Sequence, residues 1–341
     1  MIKYLLIMKN ILFLLCMLAL SWSCSSSSEG EPEPEPVPGE PKEYIVSLGL
    51  TGEIDIEESP LSKASSNDLY GVQVYSKTYK TDYKPYAHGL FDDRALLKIK
   101  LKSNEIYKFV VSMVPNGVKT IWYNMDGYCH PFYVNGREYK LNNAFEYNEL
   151  YFDGLDKGNA AIYKNSPTLF DVPNIERYYG EMSEYIPSES SIVSINMKRV
   201  CFGVKFTAEG LTEGKLHINL EGAPELIIAY GSNNEIEEIF TFGHRYPNTE
   251  SWLNNDYSET IPLSVSWEKD NGIVVDLIDT KITFKRNILT TVNIKVKDIP
   301  IEDIDNSIGI THETDEMAKG ENITIESGTG LDGNIDPVGN Q

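Results

Sequence analysis

The sequence predicts an all-β protein built as two antiparallel β-sandwich domains in tandem. Three observations carry this. Apolar residues along the body repeat with period two, the spacing of half-buried strands. Turn formers punctuate the chain at short intervals, with 25 Gly and 17 Pro among 341 residues. No long stretch has the 3.6-residue period of an amphipathic helix, and there are no heptads or short exact repeats. At roughly 100–200 residues per domain, the length fits two domains and additional segments.

The first element is an export signal. Lys3 and Lys9 precede an apolar run over residues 11–20, which is too short to span a bilayer as a helix. Leu20-Ser21-Trp22-Ser23-Cys24 then places a small residue before a cysteine, similar to a bacterial lipobox. The reading is a signal peptide over residues 1–23 and acylation of Cys24. More than one chain, palmitate among them, gives stable membrane attachment. Residues 24–42 are a Ser-, Pro- and Glu-rich linker. Its Pro-Glu alternation favours an extended, self-repelling spacer.

The N-terminal domain is expected over residues 43–187. Tyr44, Val46, Leu48, Leu50, Ile54 and Ile56 are all even-numbered and apolar, with Gly52 the one gap. Ser47, Thr51, Glu53, Asp55 and Glu57 on the other parity are polar. This predicts one long half-buried strand over residues 44–56, bent at Gly52. A loop over residues 58–68 follows, then strands carrying Tyr70, Val72 and Val74; Leu97, Ile99 and Leu101; and Tyr107, Phe109, Val111 and Met113. Pro115-Asn116-Gly117 turns the chain. Residues 128–186 read as long loops with one short helix over residues 142–150. Pro187-Ser188-Glu189-Ser190-Ser191 is the expected boundary. A C-terminal sandwich over residues 188–326 has about seven strands, at residues 200–206, 216–220, 226–230, 261–267, 273–277, 282–284 and 289–296. Residues 327–341 form a flexible tail.

Charge and motifs exclude more than they assign. The formal net charge of −21 argues against nucleic acid, which needs clustered Lys and Arg, and against docking on anionic lipid through a basic face. Gly328-Thr329-Gly330-Leu331-Asp332-Gly333 matches G-x-G-x-x-G but lacks room for a following helix. Asp332, Asn334 and Asp336 have the first spacings of a calcium loop, whose closing Glu would fall past residue 341. There is no H-E-x-x-H, G-x-S-x-G or C-x-x-C, and the five His are scattered. No enzyme activity, metal or cofactor is expected. Cys129 and Cys201 read as two separate buried thiols, with a bridge between them the alternative in an exported protein. Trp122, Tyr123 and Tyr128, Tyr178-Tyr179, and Trp252 with Tyr257 offer aromatic clusters that serve either a core or a glycan platform.

Asp68-Leu69-Tyr70-Gly71-Val72-Gln73-Val74-Tyr75, Tyr86-Ala87-His88-Gly89-Leu90-Phe91-Asp92-Asp93, Asn196-Met197-Lys198-Arg199-Val200-Cys201-Phe202 and Phe284-Lys285-Arg286-Asn287 carry a resemblance. With the lipobox-like start and the long first strand, the chain resembles the fimbrillin-like lipoproteins of Bacteroidales, the type V pilins and their accessory subunits. The resemblance implies two transthyretin-like β-sandwich domains, an outer-membrane, cell-surface location and a structural or adhesive role in a fimbrium. Its implied partners are other fimbrial subunits or a surface receptor. It also implies removal of the first strand by a trypsin-like protease and replacement by a neighbouring subunit's strand. The only basic residue in the candidate loop is Lys63, whereas the family's protease prefers Arg.

Six apolar side chains on the first strand, at roughly 1.5–3 kcal/mol each when buried, contribute on the order of 10 kcal/mol. Losing them would unfold a domain of ordinary stability, ~5–15 kcal/mol, unless something replaced them. The C-terminal segment offers only Ile308 with Ile310 and Ile323 with Ile325. The expectation is therefore an uncleaved anchor or accessory subunit, or a stand-alone adhesin. The alternative is a glycan-binding outer-membrane lipoprotein of a polysaccharide-utilisation system.

Overall fold

The structure is a computed structural model and describes residues 41–55, 67–162, 168–188, 192–243, 252–296, 318–319 and 323–326. Cys24, Ile56, Lys63 and the motifs of residues 328–336 lie outside the described residues. The protein is almost entirely β. Among the described residues the only α-helix is the single turn Gly117–Thr120.

The first group of strands comprises β1 (Glu43–Gly52), β2 (Leu69–Lys77), β3 (Lys84–Phe91), β4 (Lys98–Lys102), β5 (Ile106–Val114), β8 (Tyr178–Tyr185) and β9 (Ile192–Arg199). They form one sheet in the order β3-β2-β5-β8-β9-β1-β4. The β8–β9 joint is only two residue pairs long, Tyr178 with Arg199 and Tyr179 with Lys198. Either side of it, β9-β1-β4 and β3-β2-β5-β8 supply one shared core. Val46, Leu48, Leu50, Ile99, Val193 and Ile195 meet Val72, Val74, Phe91, Phe109 and Val111 there. Alternation predicts this, because period two sends every second side chain to one face.

The first strand is shorter than the sequence suggests. It ends at Gly52, whose φ of 93° lies in the left-handed region. A Cβ at that position would come within 2.1 Å of the Asn196 side chain. Residues Glu53–Asp55 then make a 3-10 turn. Ile54 therefore sits beyond the strand, partly buried against the same core.

The other face of β2, β5 and β8 is also covered, and β2 is buried on both faces. Residues 121–162 and 168–175 run over it as largely irregular chain, contributing Ile121, Phe132, Phe152, Leu155, Ile162 and Ile175 to a second core with Leu69, Val114 and Tyr179. Gly71 permits this approach, since a Cβ there would lie 2.8 Å from Leu155 and 2.9 Å from Phe132. The expected helix at residues 142–150 is absent from these described residues. Asn143 instead takes a left-handed φ of 53°, which suits a turn rather than a helix. A small ribbon, β6 (Ala160–Ile162) with β7 (Thr168–Phe170), lies in the same region.

The second group forms two sheets. One contains β13 (Glu235–Thr241), β10 (Cys201–Glu209) and β16 (Ile288–Lys295) in that order. The short segments β17 (Ala318–Lys319) and β18 (Ile323–Glu326) run parallel to β16. The other has the order β12 (Leu226–Ala229), β11 (Lys215–Leu220), β14 (Ser258–Glu268), β15 (Val274–Lys285). The expected strands at 273–277 and 282–284 are thus one twelve-residue strand. Phe202, Val204 and Phe206 of one sheet share a core with Leu216, Ile218, Leu263, Val265 and Phe284 of the other.

The expected boundary at residues 187–191 is not where the sheets divide. β9 follows it and still belongs to the first sheet, parallel to β1. The chain changes sheets at Val200, the single residue between β9 and β10. The core contributed by residues 121–162 and 168–175 is continuous with that of the second group. No linker separates the two sets of strands.

Candidate functional site

The first strand lies between two neighbours. Its N-terminal half pairs antiparallel with β4, Glu43 to Ser47 against Lys102 to Lys98. Its C-terminal half pairs parallel with β9, Ser47 to Gly52 against Ile192 to Met197. Val46, Leu48 and Leu50 are 0%, 5% and 3% exposed, and Tyr44 is partly buried on the same core. At roughly 1.5–3 kcal/mol per fully buried side chain, the three inward residues contribute ~5–9 kcal/mol. Removing β1 would uncover their partners and the facing edges of β4 and β9 together.

A polar latch closes the end of this strand. Glu53 Oε2 accepts from Arg286 Nη1 at 2.8 Å and from the Arg199 backbone N–H at 2.8 Å. Arg286 is 7% exposed and also donates to the carbonyls of Arg199 (3.0 Å) and Asn254 (3.1 Å). Arg199 in turn pairs with Glu176 at 2.8 Å. Lys198 Nζ reaches the Leu253 carbonyl at 2.9 Å and Asn255 at 2.5 Å. Arg286 and Asn287 form the tight turn between β15 and β16, with Asn287 at φ 57°. Two of the phrases that carry the family resemblance, residues 196–202 and 284–287, therefore meet at the end of the first strand.

The predicted aromatic clusters do not form a surface platform. Tyr128, Tyr179, Trp252 and Tyr257 are buried, Trp122 and Tyr178 are half-buried, and Tyr123 alone is exposed. Tyr179 meets Trp252 edge to face at 5.5 Å, with the Arg177 guanidinium 5.7 Å from the Trp252 ring. Cys129 and Cys201 are both free and buried, and burial raises both thiol pKa values, that of Cys201 to about 11. A thiol held protonated is a poor nucleophile. Among the described residues no group of three or more His, Cys, Asp or Glu is arranged to hold a metal ion.

A cavity of about 470 Å³ lies on the outer face of β2, β5 and β8. Its floor follows strand register: Tyr75 beside Lys108, Gln73 beside Val110, and Val110 beside Glu181. Residues 151–157 form one wall and Tyr83 another. Two buried polar side chains hold that wall. Gln73 Oε1 accepts from the Phe152 N–H at 3.0 Å. Arg177, fully buried, donates to the carbonyls of Gly154 (2.8 Å), Leu155 (2.9 Å) and Lys157 (2.5 Å) and to Ser112 Oγ (2.7 Å). Burial lowers the Arg177 pKa to about 10, so it still carries its charge at neutral pH. Burial first, then Asp156, Tyr151 and Glu181, push Tyr75 up to about 12, which keeps its phenol a donor. Lys108 pairs with Glu181 at 2.9 Å. The site is not legible in the sequence because its lining comes from five separated segments; of these residues the sequence draws attention only to Tyr179, as part of an aromatic pair, and to Gln73 and Tyr75, within a strand phrase.

No family model and no curated protein sequence matches the chain. Among solved structures, the chain is similar to a Bacteroides thetaiotaomicron protein named a "putative adhesin". The two are 12% identical, the match covers 71% of this chain and 80% of that one, and the TM-score is 0.33. It is likewise similar to the fimbrial anchor protein Mfa2 of Porphyromonas gingivalis, at 10% identity, 70% and 82% coverage and a TM-score of 0.32. A "putative cell adhesion protein" of Bacteroides eggerthii is 10% identical, with 85% and 99% coverage and a TM-score of 0.34. These three structures carry adhesin, fimbrial-anchor and cell-adhesion names, each at 12% identity or less.

Proposed function

We propose that the chain is a surface lipoprotein acting as a non-enzymatic structural or adhesive fimbrial subunit of the anchor or accessory kind. It is attached through acylated Cys24 and held off the outer membrane by residues 24–42. In this reading the two groups of strands are tandem transthyretin-like β-sandwich domains. The observation that carries the proposal is the setting of β1: paired on both sides, buried along one face, and fastened beyond its end by Glu53 to Arg286. A subunit that keeps its first strand has a complete core and needs no donor. Lys63, the candidate processing site, stays uncut in this role. If the chain does polymerise, β1 is the strand to be exchanged. Trypsin cleavage after Lys63 separates the cases: an anchor or accessory subunit loses stability, whereas a polymerising one associates with like subunits.

A second reading, a glycan-binding lipoprotein of a polysaccharide-utilisation system, is favoured by the cavity between the strand face and residues 151–157.

A further inference from the structure

We infer that the cavity over β2, β5 and β8 is a binding site for a short neutral oligosaccharide. Its volume falls in the ~300–1,000 Å³ range of small-molecule sites. The inference concerns this cavity alone and holds whether the chain serves a fimbrium or a polysaccharide-utilisation system.

The lining has the two chemistries a sugar requires. Tyr75, Tyr83 and Tyr151 line the cavity, with Lys77 Nζ lying over the Tyr83 ring at 4.4 Å; aromatic rings stack on the apolar C–H faces of pyranoses. Asp153, Asp156 and Glu181, with Lys108 and Lys157, supply acceptors and donors for hydroxyl groups. Three carboxylates and two ammonium groups line the cavity, and the buried Arg177 guanidinium behind residues 154–157 balances the charge. With no surplus cation for a uronate, sulfate or phosphate, the site favours an uncharged polyol.

The site is also built rigidly. The Tyr83 hydroxyl donates to Glu184 Oε1 at 3.1 Å and accepts from the Glu184 N–H at 3.0 Å, which fixes that ring. Tyr151 is held at its backbone by Asn135: its N–H donates to Asn135 Oδ1 at 3.0 Å and its carbonyl accepts the Asn135 N–H at 3.1 Å. Asp153 accepts the Gly136 N–H. A buried guanidinium and a buried amide spent on holding one loop are costly unless that loop has a defined position to keep. A ligand meeting fixed groups pays less ordering entropy.

A peptide is a poorer fit. β2 and β5 have strand neighbours on both sides and offer no edge for an added strand. β8 is paired with β9 only at Tyr178 and Tyr179, so the edge of β8 from Gly180 onward is, among the described residues, the one open stretch beside the floor.

The test titrates the mature full-length protein, extracted with its anchor in a zwitterionic, sugar-free detergent, by calorimetry. The probes are malto-, cello-, xylo- and manno-oligosaccharides, with oligogalacturonate as the charged counterpart. At least one neutral probe should saturate one site, with oligogalacturonate at least about ten-fold weaker. Tyr151→Ala and Asp156→Asn should each weaken that probe by about ten-fold or more, with unchanged melting temperature. Tyr151→Trp should retain binding, as should Tyr79→Ala, a change at an exposed tyrosine outside the cavity. Absence of binding by every neutral probe would overturn the inference. So would tighter binding of oligogalacturonate, or affinity unaffected by both cavity variants.

Discussion

Glu53 and Arg286, separated by 233 positions, meet at 2.8 Å where the first strand ends. The guanidinium is nearly buried and the carboxylate is partly exposed. This pair joins the end of β1 to the β15–β16 turn, and its geometry makes the two partners unequal. Replacing Arg286 with Met leaves Glu53 only the Arg199 N–H and frees two carbonyl acceptors, and should cost about 3 kcal/mol. Glu53→Gln keeps an acceptor in place and should cost about 1 kcal/mol. Chemical denaturation of the two variants checks the order; equal losses would mean that the pair is a surface contact.

The register of β1 gives a second expectation. Leu48→Asp buries a carboxylate in the shared core and should cost several kcal/mol (~3 or more). Ser47→Asp, on the other face and paired with Lys98, should change stability by less than about 0.5 kcal/mol. Thermal melts of both variants measure the difference.

His88 makes acid stability predictable in sign. It is fully buried, neither ring nitrogen has a hydrogen-bond partner among the described residues, and Glu146 is 3.9 Å away. Burial lowers its pKa, against the weaker opposing pull of Glu146. The unfolded state therefore binds the proton at higher pH than the folded one, and stability falls as pH drops below the unfolded value of ~6.5. His88→Met should flatten the loss of melting temperature below that pH. His217 should act in the opposite direction. Burial lowers its pKa, but hydrogen bonds to Glu268 and Glu225, both at 2.9 Å, raise it on balance. Its contribution is complete below pH ~6.5 and is lost as pH rises through the folded value. His217→Gln should lose stability at acidic pH relative to the parent, and the gap should close in alkali.

Cys24→Ala should move the protein from the outer-membrane fraction to the soluble fraction and abolish lipid labelling. Retention in the membrane with unchanged labelling would contradict the lipid anchor.

What could be read from the sequence follows from how many faces of each strand are buried. β1, β4 and β10 present one face to a core and alternate, so their apolar residues name the inward side directly. β3 has its last five residues buried in succession, and β8 reads Tyr-Tyr-Gly-Glu-Met-Ser-Glu-Tyr; neither alternates, so period two does not mark β3 as a strand and β8 falls within the stretch read as loops. The parallel pairing of β1 with β9 links residues about 145 positions apart, and nothing local encodes it. The Glu53–Arg286 latch and the cavity were hidden for the same reason. Their residues are ordinary one at a time, and only the sheet register brings them together.

The central claim is that the mature protein is a lipid-anchored chain that keeps its first strand. Intact mass and N-terminal sequencing under denaturing conditions, on protein purified from the outer membrane, test this most directly. The account predicts an acylated Cys24 as the first residue and a continuous chain through Lys63. A mature chain beginning at Ala64 would contradict it and would make β1 a removable strand.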